Sequence, residues 1–161
     1  MSSGDKDKRY DEGFYTKVKK VRDLEQAKIK LQEGCYTCVV CKGESLYTST
    51  HRGVRPLMEW INQAIDFIGF SAADKVVGKA TAFLYVKLGV KAVYARVISK
   101  PALEVLKTHN IVAEYDTLVD NIINRKGDGF CPFELAVLDT QNIDVAYQLI
   151  KQKLKELNIA L

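Results

Sequence analysis

No apolar run in this sequence approaches the roughly 18 residues that a membrane-spanning helix needs, so no bilayer-crossing segment is expected. The amino end, MSSGDKDKRYDEG, lacks the apolar stretch of a secretory signal. A cytoplasmic protein is therefore expected. Cysteine is sparse: Cys35, Cys38, Cys41 and Cys131 are the whole complement. Without an export signal, four thiols read as reduced side chains and not as a disulfide framework. There are two histidines, His51 and His109, and neither is near Cys131 in the chain. No internal repeat is present, and no low-complexity tract beyond the amino-terminal tail. Charge of one sign is also scarce, with a net value of +4. Nine Lys/Arg against six Asp/Glu fall in residues 1–30, so most of the excess sits there. That segment reads as a solvated tail followed by a lysine-rich helix face, and a nucleic-acid partner is not expected.

What is present suits one folded unit. The chain has 161 residues, 47% hydrophobic and 27% charged, enough for a single domain with its own core. Residues 1–15 read as a disordered charged tail and 16–161 as the domain. Val21, Leu24, Ala27 and Leu31 share a helical face, closed by Gly34. Cys35 to Cys41 and Ser45 to Ser49 read as strands of a hairpin turning at Lys42-Gly43-Glu44. Pro56 opens a helix predicted to reach Ile68. Ser71, with Asp74 three residues on, resembles a capping signal, and the spacing predicts a buried helix from there to Gly89. Ala92 to Val97 is a predicted strand, Pro101 to His109 a helix and Ile111 to Tyr115 another strand. A loop at Asn124–Gly129 leads to a short helix opened by Cys131-Pro132. Ile143 to Leu157 closes the chain. A hairpin followed by strand–helix–strand units implies an α/β fold: a mixed sheet covered by helices.

This order resembles the scaffold of cytidine deaminases. It carries Ala72-Ala73-Asp74-Lys75-Val76-Val77-Gly78-Lys79-Ala80 at one predicted helix start and Val97 to Leu106 across the next. More closely, the chain resembles a family of small uncharacterised proteins, a domain of unknown function with a deaminase-like fold. Arg52-Gly53-Val54-Arg55-Pro56-Leu57, the segment Ala73 to Ala80, and Asn124-Arg125 through Gly129-Phe130-Cys131-Pro132-Phe133-Glu134 carry that likeness over residues 20–155. The resemblance implies a cytidine-deaminase-like three-layer sandwich with helices on both sheet faces. By analogy it also implies a homo-oligomer, a homodimer by default.

Zinc deaminases hold their metal with a His or Cys, followed by a Glu two residues on, and with Pro-Cys-x-x-Cys at the next helix. Here the second motif reads Pro101-Ala102-Leu103-Glu104-Val105. The first offers Ala73 or Asp74 as ligand and Lys75 or Val76 in the acid position. Neither set binds zinc, so no metal, no cofactor and no standard deamination are expected.

Other chemistry has a plain reading beside each functional one. Cys35, Cys38 and Cys41 cannot converge on one ion from an extended strand, because side chains alternate faces; they read as small buried strand residues. Cys131 at a helix start is either a cap or a nucleophile assisted by Glu134, the site of a thiol-dependent enzyme. Arg52 and Arg55 flank Gly53, Asn124 and Arg125 precede two glycines, and Lys75 and Lys79 fall one turn apart. If these meet, they form an anion-binding cleft for a nucleotide-like or other phosphorylated small ligand. Asp74 is a capping residue or a partner for a ribose hydroxyl. Gly78 inside a helix costs about 1 kcal/mol relative to Ala, so a packed strand or a ligand should approach it closely. A non-catalytic, self-associating module is the remaining alternative.

Overall fold

Strands that are apolar on both sides need cover on both sides. The first four residues of β1 (Cys38–Lys42) are all buried, Cys38 and Val40 in one core, Val39 and Cys41 in another. In this computed structural model, which describes residues 12–161 with side chains from Arg22 onward, β1 lies inside a five-stranded sheet of order β2-β1-β3-β4-β5. β2 (Ser45–Ser49) and β3 (Ser71–Val77) flank β1 antiparallel, and β4 (Ala92–Ser99) and β5 (Val112–Val119) continue from β3 in parallel. The helix α1 (Glu12–Glu33) covers one face through Leu24, Ala27 and Leu31 against Val39, Cys41, Ala73 and Tyr94. The other face carries α2 (Arg55–Asn62), α3 (Lys79–Leu88), α4 (Lys100–Thr108), the short α5 (Pro132–Ala136) and α6 (Ile143–Glu156). The result is the expected three-layer sandwich, a mixed sheet with helices on both faces. No helix among the described residues is long and apolar enough to cross a membrane.

The largest departure from the sequence reading is at residues 71–78. Ser71 to Val77 is a strand, and the helix begins only at Lys79, with Gly78 as its extended N-cap. The first four residues of β3 are buried because the strand is central and covered on both faces. Such a strand shows no alternation, and its apolar run cannot be told from a buried helix by period alone. The capping pattern at Ser71 was therefore a coincidence: its buried hydroxyl has no hydrogen-bond partner. Asp74 caps no helix, Gly78 does not interrupt one, and Lys75 and Lys79 are not a turn apart.

Smaller corrections have local causes. α2 stops at Asn62 and not at Ile68; Ala64 adopts a left-handed backbone (φ 57°), and the Asp66 carboxylate accepts from the Ile68 N–H at 2.9 Å. An Asp competing for nearby backbone donors favours a turn over a further helical turn. Ile68, expected on the apolar face, is 65% exposed. β1 starts at Cys38, which leaves Cys35 exposed ahead of it instead of buried. β5 runs on to Val119, past the expected end at Tyr115. α1 begins at Glu12, ahead of the periodicity at Val21, and residues 1–11 of the expected tail lie outside the described residues.

Candidate functional site

Two loops carry the arginines. In the first, the chain leaves β2, turns at Gly53 (φ 64°) and enters α2, with Val54 buried as an anchor. The Arg55 N–H closes this turn on the Arg52 carbonyl at 3.4 Å. With Val54 buried between them, Arg52 is exposed and Arg55 half-buried. In the second loop, Ile123 and Phe130 form an antiparallel bridge, the Asn124 N–H donates to the Gly129 carbonyl at 2.8 Å and the Cys131 N–H to that of Ile122 at 3.0 Å. Gly127 takes the left-handed backbone that closes this small hairpin (φ 75°). Asn124 clasps it from inside, donating from Nδ2 to Asp128 Oδ1 at 2.9 Å and accepting from the Asp128 N–H. The hairpin tip thereby presents Arg125 and Lys126.

These loops face each other. Arg52, Asn124, Arg125, Lys126 and Cys131 line one depression of about 700 Å³, whose apolar walls include Ile123, Phe133 and Ile159. A neighbouring depression of about 370 Å³ is lined by His51, Arg52, Arg55 and Arg125, again with Phe133 and Ile159. Among the described residues, Arg52, Arg125 and Lys126 make no ion pair; Arg55 Nε is 3.6 Å from Glu59 Oε1. The structure thus brings together Arg52, Arg55, Asn124, Arg125 and Cys131 of the expected set.

Asp74, Lys75 and Lys79 stand apart from these depressions. Asp74 is 7% exposed and accepts from the Tyr85 hydroxyl at 2.7 Å; the Cys38 thiol is 3.1 Å from that same hydroxyl. Burial raises the Asp74 carboxyl to about 6, against the opposing hydrogen bonds from Tyr85 and from backbone N–H groups. Burial and then the neighbouring Asp74 charge push Tyr85 and Cys38 up. The trio is a closed polar network within the core. Lys75 is half-buried on β3. Lys79 is buried, and its Nζ donates to the Leu138 carbonyl at 2.9 Å.

Glu134 has a partner other than Cys131. Its Oε1 accepts from the Lys79 N–H at 2.8 Å, so the start of α3 already has an anion, supplied by the protein. Burial raises this carboxyl, while the Lys79 N–H opposes the shift. The group that approaches Gly78 is therefore neither a strand nor a ligand: a Cβ there would stand 1.9 Å from Glu134 Oε1. Cys131 is the N-cap of α5, but its side chain makes no capping hydrogen bond.

The metal positions stay empty of donors in the folded chain. Ala102 and Val105, in place of the paired thiolates, are buried in the core. The helix start that the first motif refers to is Gly78-Lys79-Ala80-Thr81, not Ala73–Asp74, and it too has no His, Cys or Glu. Among the described residues no three His, Cys, Asp or Glu side chains are grouped to share an ion.

Residues 26–154 match the family described as TM1506, a domain of unknown function, DUF1893. The chain belongs to the DUF1893 family. A crystal structure of a DUF1893 family protein from Thermotoga maritima is similar to it over 81% of this chain and 89% of that one, with 26% identity and a TM-score of 0.74. A dCMP deaminase from the cyanophage S-TIM5, in its apo form, is more distantly similar, at 15% identity and a TM-score of 0.41 over 60% of this chain and 95% of that one. No curated protein matches this DUF1893 chain.

The sequence reading missed the partnership between His51 and Glu59, whose Nδ1 and Oε1 are 2.6 Å apart. Eight positions separate the two across a turn and a helix start, and no short motif announces such a pair. It also left Phe133 and Ile159 out of the cleft, because apolar walls carry no signal that distinguishes them from core.

Proposed function

We propose that this DUF1893 protein binds a small phosphorylated ligand of nucleotide-like shape between the Arg52–Arg55 turn and the Ile123–Phe130 hairpin. One observation carries the reading: Arg52, Arg125 and Lys126 line a single depression with one carboxylate, that of Asp128, which is engaged by Asn124, and the three cations make no ion pair among the described residues. Bringing like charges together is unfavourable, and an anion offsets it. Guanidinium groups suit phosphate oxygens in particular, through paired N–H donors. The volume of about 700 Å³ falls in the range typical of small-molecule sites. Phe133, Ile123 and Ile159 offer an apolar wall for a flat ring. The reading involves no zinc and no deamination.

Calorimetric titration with inorganic phosphate and with a nucleoside 5′-monophosphate tests it. Arg52→Ala and Arg125→Ala should each weaken binding by roughly tenfold or more, the worth of one charge-assisted contact. Lys75→Ala, away from the depression, should leave it unchanged. Equal affinity in the wild type and both arginine variants would remove this assignment.

A second reading, a homodimer joined through β5, is favoured by one feature. β5 is an eight-residue edge strand, VAEYDTLV, that contains no proline or lysine. Val112, Tyr115 and Leu118 on it are exposed. Glu114 and Asp116 are its only charges, and an edge with this much exposed apolar side chain invites pairing with a second strand.

A further inference from the structure

His51 lines the smaller depression beside the one assigned to anion binding, sharing Arg52 and Arg125 with it, and anion binding alone gives it no task. The residue sits between two hollows. It lines the depression of about 370 Å³ with Arg52, Arg55 and Arg125, and a second one of about 290 Å³ with Tyr36, Glu59 and Trp60. Its backbone is fixed on both sides. The His51 N–H donates to Ser49 Oγ at 3.1 Å, and its carbonyl accepts from the Thr37 hydroxyl. Its ring is fixed as well, by the 2.6 Å contact between Nδ1 and Glu59 Oε1. Glu59 is one helical turn beyond Arg55 on α2, so the same helix that offers a guanidinium also sets the carboxylate behind the imidazole.

A carboxylate can only accept, so Nδ1 carries a proton in this pair, and in the neutral ring Nε2 is the nitrogen with the free lone pair. An imidazole oriented this way by a carboxylate is prepared for nucleophilic work. Three guanidinium groups around the same hollow supply what phosphoryl transfer requires, which is positioning and stabilisation of charge on the non-bridging oxygens.

We propose that this hollow is a phosphoryl-transfer site for phosphate monoesters, in which His51 is the nucleophile and Glu59 a positioning residue. The inference rests on the anion-binding reading. In the first step the Nε2 lone pair forms an N–P bond as the ester P–O bond breaks. The electron pair leaves on the alcohol oxygen, which takes a proton from solvent. In the second step a water oxygen attacks phosphorus, the N–P electron pair returns to Nε2, and the water's proton passes to solvent. The sum is ester plus water giving alcohol plus inorganic phosphate, with the protein unchanged.

The test uses the full chain with 4-nitrophenyl phosphate as probe. Nitrophenolate release is followed by absorbance, and intact-protein mass is read after rapid quenching in base, where phosphohistidine survives. The wild type should release nitrophenolate and carry one phosphoryl group on His51 that acid removes. His51→Gln should lose both while still binding inorganic phosphate and melting as the wild type does. Glu59→Gln should lower kcat roughly tenfold with KM no higher, the effect typical of losing an orienting partner, and Glu59→Asp should recover part of it. A wild type that binds phosphate but neither turns over nor becomes phosphorylated overturns this inference and leaves the binding site standing. Turnover that persists in His51→Gln overturns it too. Failure to bind phosphate at all removes both readings.

Discussion

Asp74 is placed by its strand opposite Cys38 and beneath Tyr85, and burial holds its carboxyl at about 6 in place of the ordinary 3.8. The folded state therefore binds this proton more tightly than the unfolded chain does. Below the unfolded value both states are protonated, and the contribution favours folding in full. As pH rises from about 4 to about 6 the unfolded chain releases its proton first, and that contribution is lost. A shift of this size corresponds to about 3 kcal/mol. Asp74→Asn cannot ionise and keeps an acceptor for Tyr85. Denaturant melts of both proteins from pH 4 to 7 should show the variant gaining on the wild type by up to that amount as pH rises. A difference that stays flat across the range would mean that Asp74 is not the group responsible. None of this was legible in the sequence, where Asp74 read as a cap. A carboxylate three residues after a serine signals a helix start only if the backbone there is helical, and a central strand made it a core residue.

At the scale of elements, the decisive joint is where β3 passes into α3. Glu134 from α5 sets its carboxylate against Gly78 and the first N–H of α3, and Lys79 ties back to the Leu138 carbonyl just past α5. Three elements meet at a residue with no side chain. Gly78→Ala should cost about 1–3 kcal/mol, as overpacking at a tight contact does. In a Glu134→Ala background the same substitution should cost much less, so the two changes should be strongly non-additive in a double-mutant cycle. Additive costs would show that the carboxylate is not what requires glycine there. The sequence reading did expect a close approach to Gly78. It could not name Glu134, which is 55 residues away along the chain. Elements with a clear period or a terminal signal were legible: α4 at Pro101, α6 from Ile143, and the β1–β2 hairpin. β3 was not, because burial on both faces erases the alternation by which a strand is recognised.

For the whole molecule, the sheet ends on β5, and the exposed edge bears on how many copies associate. If two β5 strands pair, light scattering should give a dimer mass at micromolar concentration, and Thr117→Pro, which removes a donor from the middle of that edge, should shift it to monomer. A wild-type monomer under those conditions would end the homodimer reading. The cleft belongs to this scale too. Arg52, Arg55, Asn124 and Arg125 stood out as candidates from charge, glycine and helix-start signals that are local. Lys75 and Lys79 carried similar signals, yet Lys75 lies on the central strand and Lys79 is buried against the chain beyond α5. By itself the sequence determined the α/β class, most helix boundaries and the lack of a zinc ligand set, because residue type, period and capping act over a few positions. Only the tertiary structure decided which cations share a cleft, that His51 meets Glu59, and that Glu134 occupies the helix start at Lys79. Those contacts join residues far apart in the chain, and they exist only once the sheet has set its strand order and the loops have closed across it.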